Sequence, residues 1–217
     1  MGLLQDTYIH PSFRNQPSPI QEPLSAFKLQ WNRIRFKFRD LFSLIILKYS
    51  SPKGKSSFGR RELKLNSSII IPTALALHKQ MYSSFAAAET PTLRKICCDG
   101  IYDSFRARIA SRPRGEQVTW ELVKYNRRAK LVGNRAARFP IDGAAVRQAV
   151  VRICSTQRLT RARNGVVVGG SGKEKDVVEY VVVQRTYSNW RPGDWQIWGT
   201  TRETSLEEVK GWLNRGV

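Results

Sequence analysis

The sequence predicts an α+β fold in which helices come first and antiparallel strands follow. Between residues 24 and 111, apolar side chains recur every three or four positions, which is the period of amphipathic helices. From residue 118 onward they alternate with polar side chains, which is the period of half-buried strands. Helices followed by a run of long strands are typical of α+β domains.

The sequence of the N-terminal third predicts three segments before the main domain. Residues 1–23 are predicted to form an extended Pro-rich arm, because Pro11, Pro17 and Pro19 lie among Ser, Gln and Asn, a composition that cannot pack a core. Residues 24–50 are predicted to form a basic amphipathic helix, with Ser25 as a possible N-cap, and residues 51–71 a basic linker. The helix has one wide apolar stripe: Leu24, Phe27, Trp31, Ile34, Phe38, Leu41, Phe42 and Ile45.

Residues 72–217 are predicted to form the α+β domain itself. Pro72 suits the first position of a helix that runs to about residue 88. A short helix follows from Thr90, and a third spans about 100–111 before Pro113 and Gly115 end it. Strands are predicted at about 118–122, 129–139, 144–163, 177–187 and 195–200, with a final helix at 204–213.

Charge is the strongest functional signal in the composition. The chain has 37 Lys and Arg against 17 Asp and Glu, a net charge of +20. Residues 164–217 are neutral overall, so the excess belongs to the first three quarters of the chain. Such a balance favours a nucleic acid or an anionic membrane surface as partner. Cys97, Cys98 and Cys154 lack metal-ligand spacing, so we expect structural thiols and no metal or cofactor.

Arginine clusters indicate RNA as the polyanion, because the guanidinium fork matches phosphate oxygens in a way that Lys cannot. The alternative is that these arginines do not bind RNA and only keep an edge strand soluble. The candidate RNA-binding residues, chosen on charge alone, are Arg33, Arg35, Lys37, Arg39, Lys53, Lys55, Arg60, Arg61, Arg127, Arg128, Lys130, Arg135, Arg138, Arg158, Arg161 and Arg163.

The helix at 24–50 has three possible roles. It can lie in a membrane interface. It can pack its stripe on the domain or on a neighbouring protein and turn its cations towards rRNA. It can also be a core helix with solvated charges. Trp31, Phe38 and Phe42 are the candidate membrane or partner contacts, since they present more aromatic surface than a soluble monomer normally exposes to water. The apolar run within this helix is far shorter than the ~20 residues that span a bilayer.

Other motifs carry little chemistry. The stretch GGSGKEK (169–175) predicts a hairpin turn, because Val167 and Glu174 stand where a phosphate-binding loop needs Gly and Ser or Thr. His78 is predicted to be a satisfied core or boundary histidine, and Asp99 and Asp103 to mark a helix start. We therefore expect no enzyme. The alternative is a small enzyme with a cone-shaped α+β fold. Such an enzyme would need a pair of polar residues deep inside its cone, but the inward strand positions of this sequence offer mainly Val, Trp and Leu.

Three strings carry a resemblance to a known family. They are TWELVKY (119–125), VRICS (151–155) and DVVEYVVV (176–183), the last followed after a turn by Trp195. In order and spacing, residues 72–198 resemble the mitochondrial large-subunit ribosomal protein forty-five and its fungal counterpart, the inner-membrane ribosome receptor. Both belong to the superfamily of the forty-four-kilodalton subunit of the inner-membrane import motor.

This resemblance implies helices packed into a strongly curved antiparallel sheet, a cone like nuclear transport factor two. It implies a non-enzymatic component of the large ribosomal subunit in the mitochondrial matrix, near the polypeptide exit and facing the inner membrane. The implied partners are large-subunit rRNA, neighbouring ribosomal proteins and the inner membrane or a membrane insertase, with no small-molecule substrate. The runner-up is a matrix-side membrane scaffold of the import motor that does not bind RNA.

Overall fold

The computed structural model describes residues 2–4, 7–12, 15–53, 61, 63–205, 207–209 and 211. Helices occupy the first half of the described chain and strands the second, which confirms the α+β class. The helices are α1 (Pro23–Ser50), α2 (Ile70–Ala86), α3 (Thr90–Ile96) and α4 (Asp99–Ala110). The strands are β1 (Glu116–Arg138), β2 (Ala145–Arg163), β3 (Val166–Val167), β4 (Glu174–Ser188) and β5 (Arg191–Thr201).

The strands form one open antiparallel sheet in the order β1-β2-β4-β5, with the short β3 paired to β2. The sequence predicted two strands between residues 118 and 139, and the structure corrects this to the single strand β1. Register shifts between Tyr125 and Arg127, and between Arg127 and Lys130, keep it paired to β2. These bulges take up the polar stretch that looked like a break. The turn predicted at 169–175 does connect β2 and β4.

The main core lies between α2–α4 and one face of the sheet. Met81 of α2 and Phe105 of α4 belong to one buried cluster with Val151, Val181 and Ile197 from β2, β4 and β5. We call this the helix face of the sheet. The helices begin close to the predicted positions, although α2 starts at Ile70 and not at Pro72. Pro72 is tolerated in the first turn, because helix N–H groups there have no intrahelical partner.

The N-terminal arm covers the opposite face of the sheet. Ile9 is 1% exposed and packs with Val150, Tyr180 and Val182. Its N–H donates to Oγ1 of Thr204 at 2.9 Å, and its carbonyl accepts the N–H of Thr204. The prediction that the arm cannot contribute to a core is therefore wrong, because its few apolar residues find a sheet face that no helix covers. Residues Ala145–Val151 of β2 are consequently buried without a break.

The segment around α1 also packs more closely than predicted. Helix α1 starts at Pro23, which occupies the first turn, so Ser25 is not its cap. In the predicted linker, Leu63 is buried and Leu65 half-buried, and both pack with Leu47 of α1 and Tyr187 of β4. Of the predicted terminal helix, residues 207–209 and 211 are described and helical, whereas Thr204 and Ser205 are not helical.

Candidate functional site

Helix α1 has two opposite faces, and the predicted apolar stripe is the one that stays outside. Trp31, Phe38 and Phe42 are 60%, 67% and 61% exposed. The rest of the stripe is exposed with them: Leu24, Phe27, Ile34, Leu41 and Ile45. We call this surface the aromatic face of α1. This exposure contradicts parts of two of the three possible roles. The stripe does not join the core, as the core-helix role needs, and it does not pack on the chain's own domain, as one form of the second role needs.

The other face of α1 is held to the protein by a few apolar and several polar contacts. Leu29, Phe36 and Leu47 are buried there. The ring of Phe36 stacks on that of Tyr8 from the arm, with centroids 4.8 Å apart. The hydroxyl of Ser43 accepts the backbone N–H of Ala136 at 3.2 Å. Helix α1 therefore supplies a partner for the open edge of β1, a position where unpaired backbone groups promote aggregation.

Cations line both borders of the aromatic face. At 3.6 residues per turn, Lys28, Arg35 and Arg39 fall along one border, and Lys37 and Lys48 along the other. Asp40 is the sole acidic residue of α1 and lies on the side turned to β1. Aromatic surface between two rows of cations is typical of helices that lie at an anionic membrane surface.

Four predicted RNA-binding cations lie exposed on the sheet without a partner among the described residues. They are Arg127, Arg128 and Lys130 on β1, and Arg163 at the end of β2. Strand β1 is an edge strand, so the first three present their charge at the rim of the sheet. We call Arg127, Arg128 and Lys130 the basic edge of β1. Exposed cations of this kind neutralise phosphates with little loss of their own ion pairs.

Other predicted cations are engaged within the protein. Arg135 forms an ion pair with Asp40 and is only 15% exposed, so its charge is already used inside the protein. Arg158 bridges Glu121 at 3.0 Å and Glu174 at 2.5 Å, so two carboxylates offset its charge. Arg161 lies 3.9 Å from Glu116, and Arg138 donates to Ser50 Oγ at 2.8 Å.

The predicted cations of α1 and of the linker are mostly at the surface. Arg33, Arg35, Lys37 and Lys53 are exposed. The Arg39 guanidinium lies 4.6 Å from the ring centroid of Phe36. Arg61 donates to the carbonyl oxygen of Ser51 at 2.9 Å. Lys55 and Arg60 lie outside the described residues. The net charge also includes Arg147, which is buried and donates to Asn134 and Ser67.

A polar network lies under α2 on the helix face of the sheet. Nε2 of the fully buried His78 lies 2.8 Å from Oε2 of Glu179. Of the two predicted places for this histidine, core or boundary, the structure shows the core. Tyr82 Oη and Gln157 Nε2 donate to the same carboxylate. Burial alone would raise the pKa of Glu179, but the hydrogen bonds from His78 and Tyr82 outweigh it and hold that pKa below its usual range.

The sequence prediction missed this network, although a signal for it was present. Val177, Glu179 and Val181 alternate along β4, so a period of two places Glu179 on the same face as buried Val181. The prediction that inward positions offer mainly Val, Trp and Leu is thus incomplete. Asp99 does mark a helix start, since it occupies the first turn of α4 and pairs with Arg94 at 2.6 Å.

Comparison with known families shows which family the chain belongs to. The model of the MBA1-like protein family matches residues 1–212, which is nearly the whole chain. The chain belongs to the MBA1-like family. MBA1 is a mitochondrial protein associated with the ribosome and with the inner membrane. A comparison with curated proteins finds no match.

Membership in the MBA1-like family confirms the coarser part of the resemblance seen in the sequence. The family is mitochondrial and associated with the inner membrane, as predicted. The match also includes the arm and α1, which the resemblance over residues 72–198 left out. None of the helices in the described part of the chain is long and apolar enough to cross a membrane.

Proposed function

We propose that this MBA1-like protein is a structural component of the mitochondrial large ribosomal subunit that helps hold the polypeptide exit site to the inner membrane. It would bind rRNA and have no catalytic role. The observation that carries the proposal is the separation of two surfaces on one chain. The aromatic face of α1 points outward at one place, and the basic edge of β1 is presented at another.

The basic edge of β1 and Arg163 are the proposed rRNA contacts of the sheet. Their charges have no carboxylate partner among the described residues, whereas Arg158 has two. From Ala136, beside α1, to Arg128 the strand covers roughly 25 Å at about 3.3 Å per residue. That distance lets one chain meet RNA and a second partner together. Exposed cations on an edge strand also prevent aggregation, and this effect is compatible with RNA binding.

The aromatic face of α1 is the proposed membrane contact. A partner protein would need to cover aromatic rings and also match two rows of cations that have no acidic residue between them. An anionic lipid surface meets both requirements, because apolar side chains enter the acyl boundary while Lys and Arg reach the headgroups. We therefore favour the membrane over a neighbouring protein for this face.

The import-motor scaffold stays the second candidate. The aromatic face of α1 supports it as well, because membrane attachment is common to both functions. The basic edge of β1 separates the two, since a scaffold that binds only lipid and protein has no use for a second, distant row of cations.

Salt-titrated sedimentation of detergent-solubilised mitochondria tests the proposal. We expect this protein to migrate with large ribosomal subunits through about 0.3 M salt, because many phosphate contacts and buried protein surface act together. Release at low salt, with flotation on anionic liposomes and no rRNA in the fraction, would overturn the ribosomal assignment and favour the import scaffold. Detergent is essential, because an intact membrane that holds both this protein and ribosomes would make them sediment together even if they did not bind each other.

A further inference from the structure

A cleft of about 470 Å³ opens between α2, α4 and the sheet, and none of its lining residues belongs to either surface described above. Its floor is aromatic, formed by Tyr82, Phe85, Phe105 and Trp120. The rings of Tyr82 and Trp120 stack with centroids 5.2 Å apart and an interplanar angle of 24°. Small-molecule sites in proteins are typically clefts of about 300–1,000 Å³ with mainly apolar and aromatic walls.

The polar atoms at the base of the cleft are already paired. The indole N–H of Trp120 donates to Oε1 of Gln157 at 3.0 Å. The amide of Gln157 in turn donates to the carboxylate of Glu179 at 2.7 Å. The base therefore turns carbon surface towards the cleft. Leu159 and Val168 extend this surface, and each leaves about two fifths of its area exposed.

The mouth of the cleft is cationic. Arg108, Arg161, Lys173 and Lys175 line it, and the lining residues in the described chain include no carboxylate. Lys173 and Lys175 are exposed and form no ion pair with described residues. Arg161 is 54% exposed and its pair with Glu116 is long at 3.9 Å, and a weak surface pair of this kind leaves the guanidinium accessible to a headgroup.

We propose that this cleft binds a single-chain amphipathic anion, with its acyl chain on the aromatic floor and its phosphate or carboxylate headgroup among the cations of the mouth. The orientation follows from charge, because the carboxylate of Glu179 lies behind the floor and would repel an anion placed there. The aliphatic walls and the paired polar atoms favour an acyl chain over a nucleotide base, whose edge needs free donors and acceptors. This binding does not depend on the ribosomal role.

The test measures lipid binding to the purified full-length chain carrying Trp31→Ser, Phe38→Ser and Phe42→Ser, so that the aromatic face of α1 does not compete. The probe is palmitoyl lysophosphatidic acid below its micelle-forming concentration, followed by native mass spectrometry and calorimetry. We expect one lipid per chain. We expect at least tenfold weaker binding of palmitoyl lysophosphatidylcholine and none of glycerol phosphate, which lacks the chain. Equal binding of glycerol phosphate would reduce the cleft to a simple anion patch and overturn the proposal.

Two matched substitutions locate the lipid. Leu159→Trp fills the cleft and should weaken binding at least tenfold, whereas Val166→Trp, at a 71% exposed position outside the lining, should leave it unchanged. Lys173→Glu with Lys175→Glu should also weaken binding at least tenfold. Equal affinity of the two Trp variants, both with wild-type thermal midpoints, would overturn the proposal. So would displacement of the lipid by an equimolar single-stranded oligonucleotide, which would make the cleft an RNA site.

Discussion

The carboxylate of Asp40 on α1 and the guanidinium of Arg135 on β1 form an ion pair, with Oδ1 and Nε 3.1 Å apart and both side chains about 85% buried. With the hydrogen bond from Ala136 to Ser43, this pair fixes the rotation of α1 about its own axis. Because Asp40 and Ser43 face β1, the aromatic face must turn outward. An internal ion pair thus determines which side chains of α1 are available to a membrane.

The Asp40 pair makes stability depend on pH in an unusual direction. Burial raises the pKa of Asp40 to about 6, although Arg135 and Arg39 oppose it. The unfolded chain has a pKa of about 3.9 for this group. The folded state then holds the proton more tightly, so stability from this group is full below pH 4 and is lost as pH rises through 6.

From pH 4 to 6.5, we expect the free energy of unfolding of the wild type to fall by about 2–3 kcal/mol relative to that of Asp40→Asn. Urea unfolding of both proteins at intervals of half a pH unit measures this difference. The comparison cancels every other titrating group, because both proteins share them. A difference between the two proteins that does not change with pH would contradict the assigned pKa.

Replacing the aromatic face should remove membrane binding without unfolding the protein. We expect the Trp31→Ser, Phe38→Ser and Phe42→Ser triple variant to bind anionic vesicles at least 100-fold more weakly, since each aromatic side chain gains about 1.5–3 kcal/mol on burial. Its thermal midpoint should stay within a few degrees of wild type, because the three side chains are exposed.

Vesicle flotation makes this measurement, and a control variant is available on the same chain. Ile141→Ser, Val166→Ser and Val167→Ser change three other exposed apolar side chains and should bind vesicles as wild type does. If both triple variants lose binding equally, then general surface hydrophobicity and not α1 drives attachment.

The basic edge of β1 should contribute to the salt dependence of ribosome binding. Replacing Arg127, Arg128 and Lys130 by Ala should lower the slope of log K against log salt by about 2–3, because each phosphate contact contributes about 0.9. Binding to purified large subunits between 50 and 300 mM salt gives the slope. Arg158→Ala is the matched control and should change the slope by less than about 0.5, since two carboxylates already offset its charge.

The N-terminal arm should contribute directly to stability. We expect Ile9→Ala to lower the free energy of unfolding by about 2–5 kcal/mol, as for other fully buried Ile side chains. Ile20→Ala, at a position 91% exposed, should change it by less than about 0.5 kcal/mol. Urea denaturation followed by tryptophan fluorescence compares the two variants. Equal effects would show that the arm does not pack on the sheet in solution.

Local patterns determined much of this protein. The three- and four-residue period predicted α1, α2 and α4, and the two-residue period predicted the strands, because each depends on neighbours within a few positions. The interior place of His78 and the turn at 169–175 followed from the same kind of information. The net charge predicted a polyanionic partner from composition alone.

Tertiary structure decided what those patterns could not. A wide apolar stripe on α1 looks alike whether it is buried or exposed, and only the pairing of Asp40 with the distant Arg135 turned it outward. The same holds for Arg158, which counts as a free cation in the sequence until Glu121 and Glu174 meet it across the sheet. Burial of Ile9 needed a sheet face that the helices leave open. Each outcome depends on contacts between residues far apart in the chain, and periodicity carries no information about those.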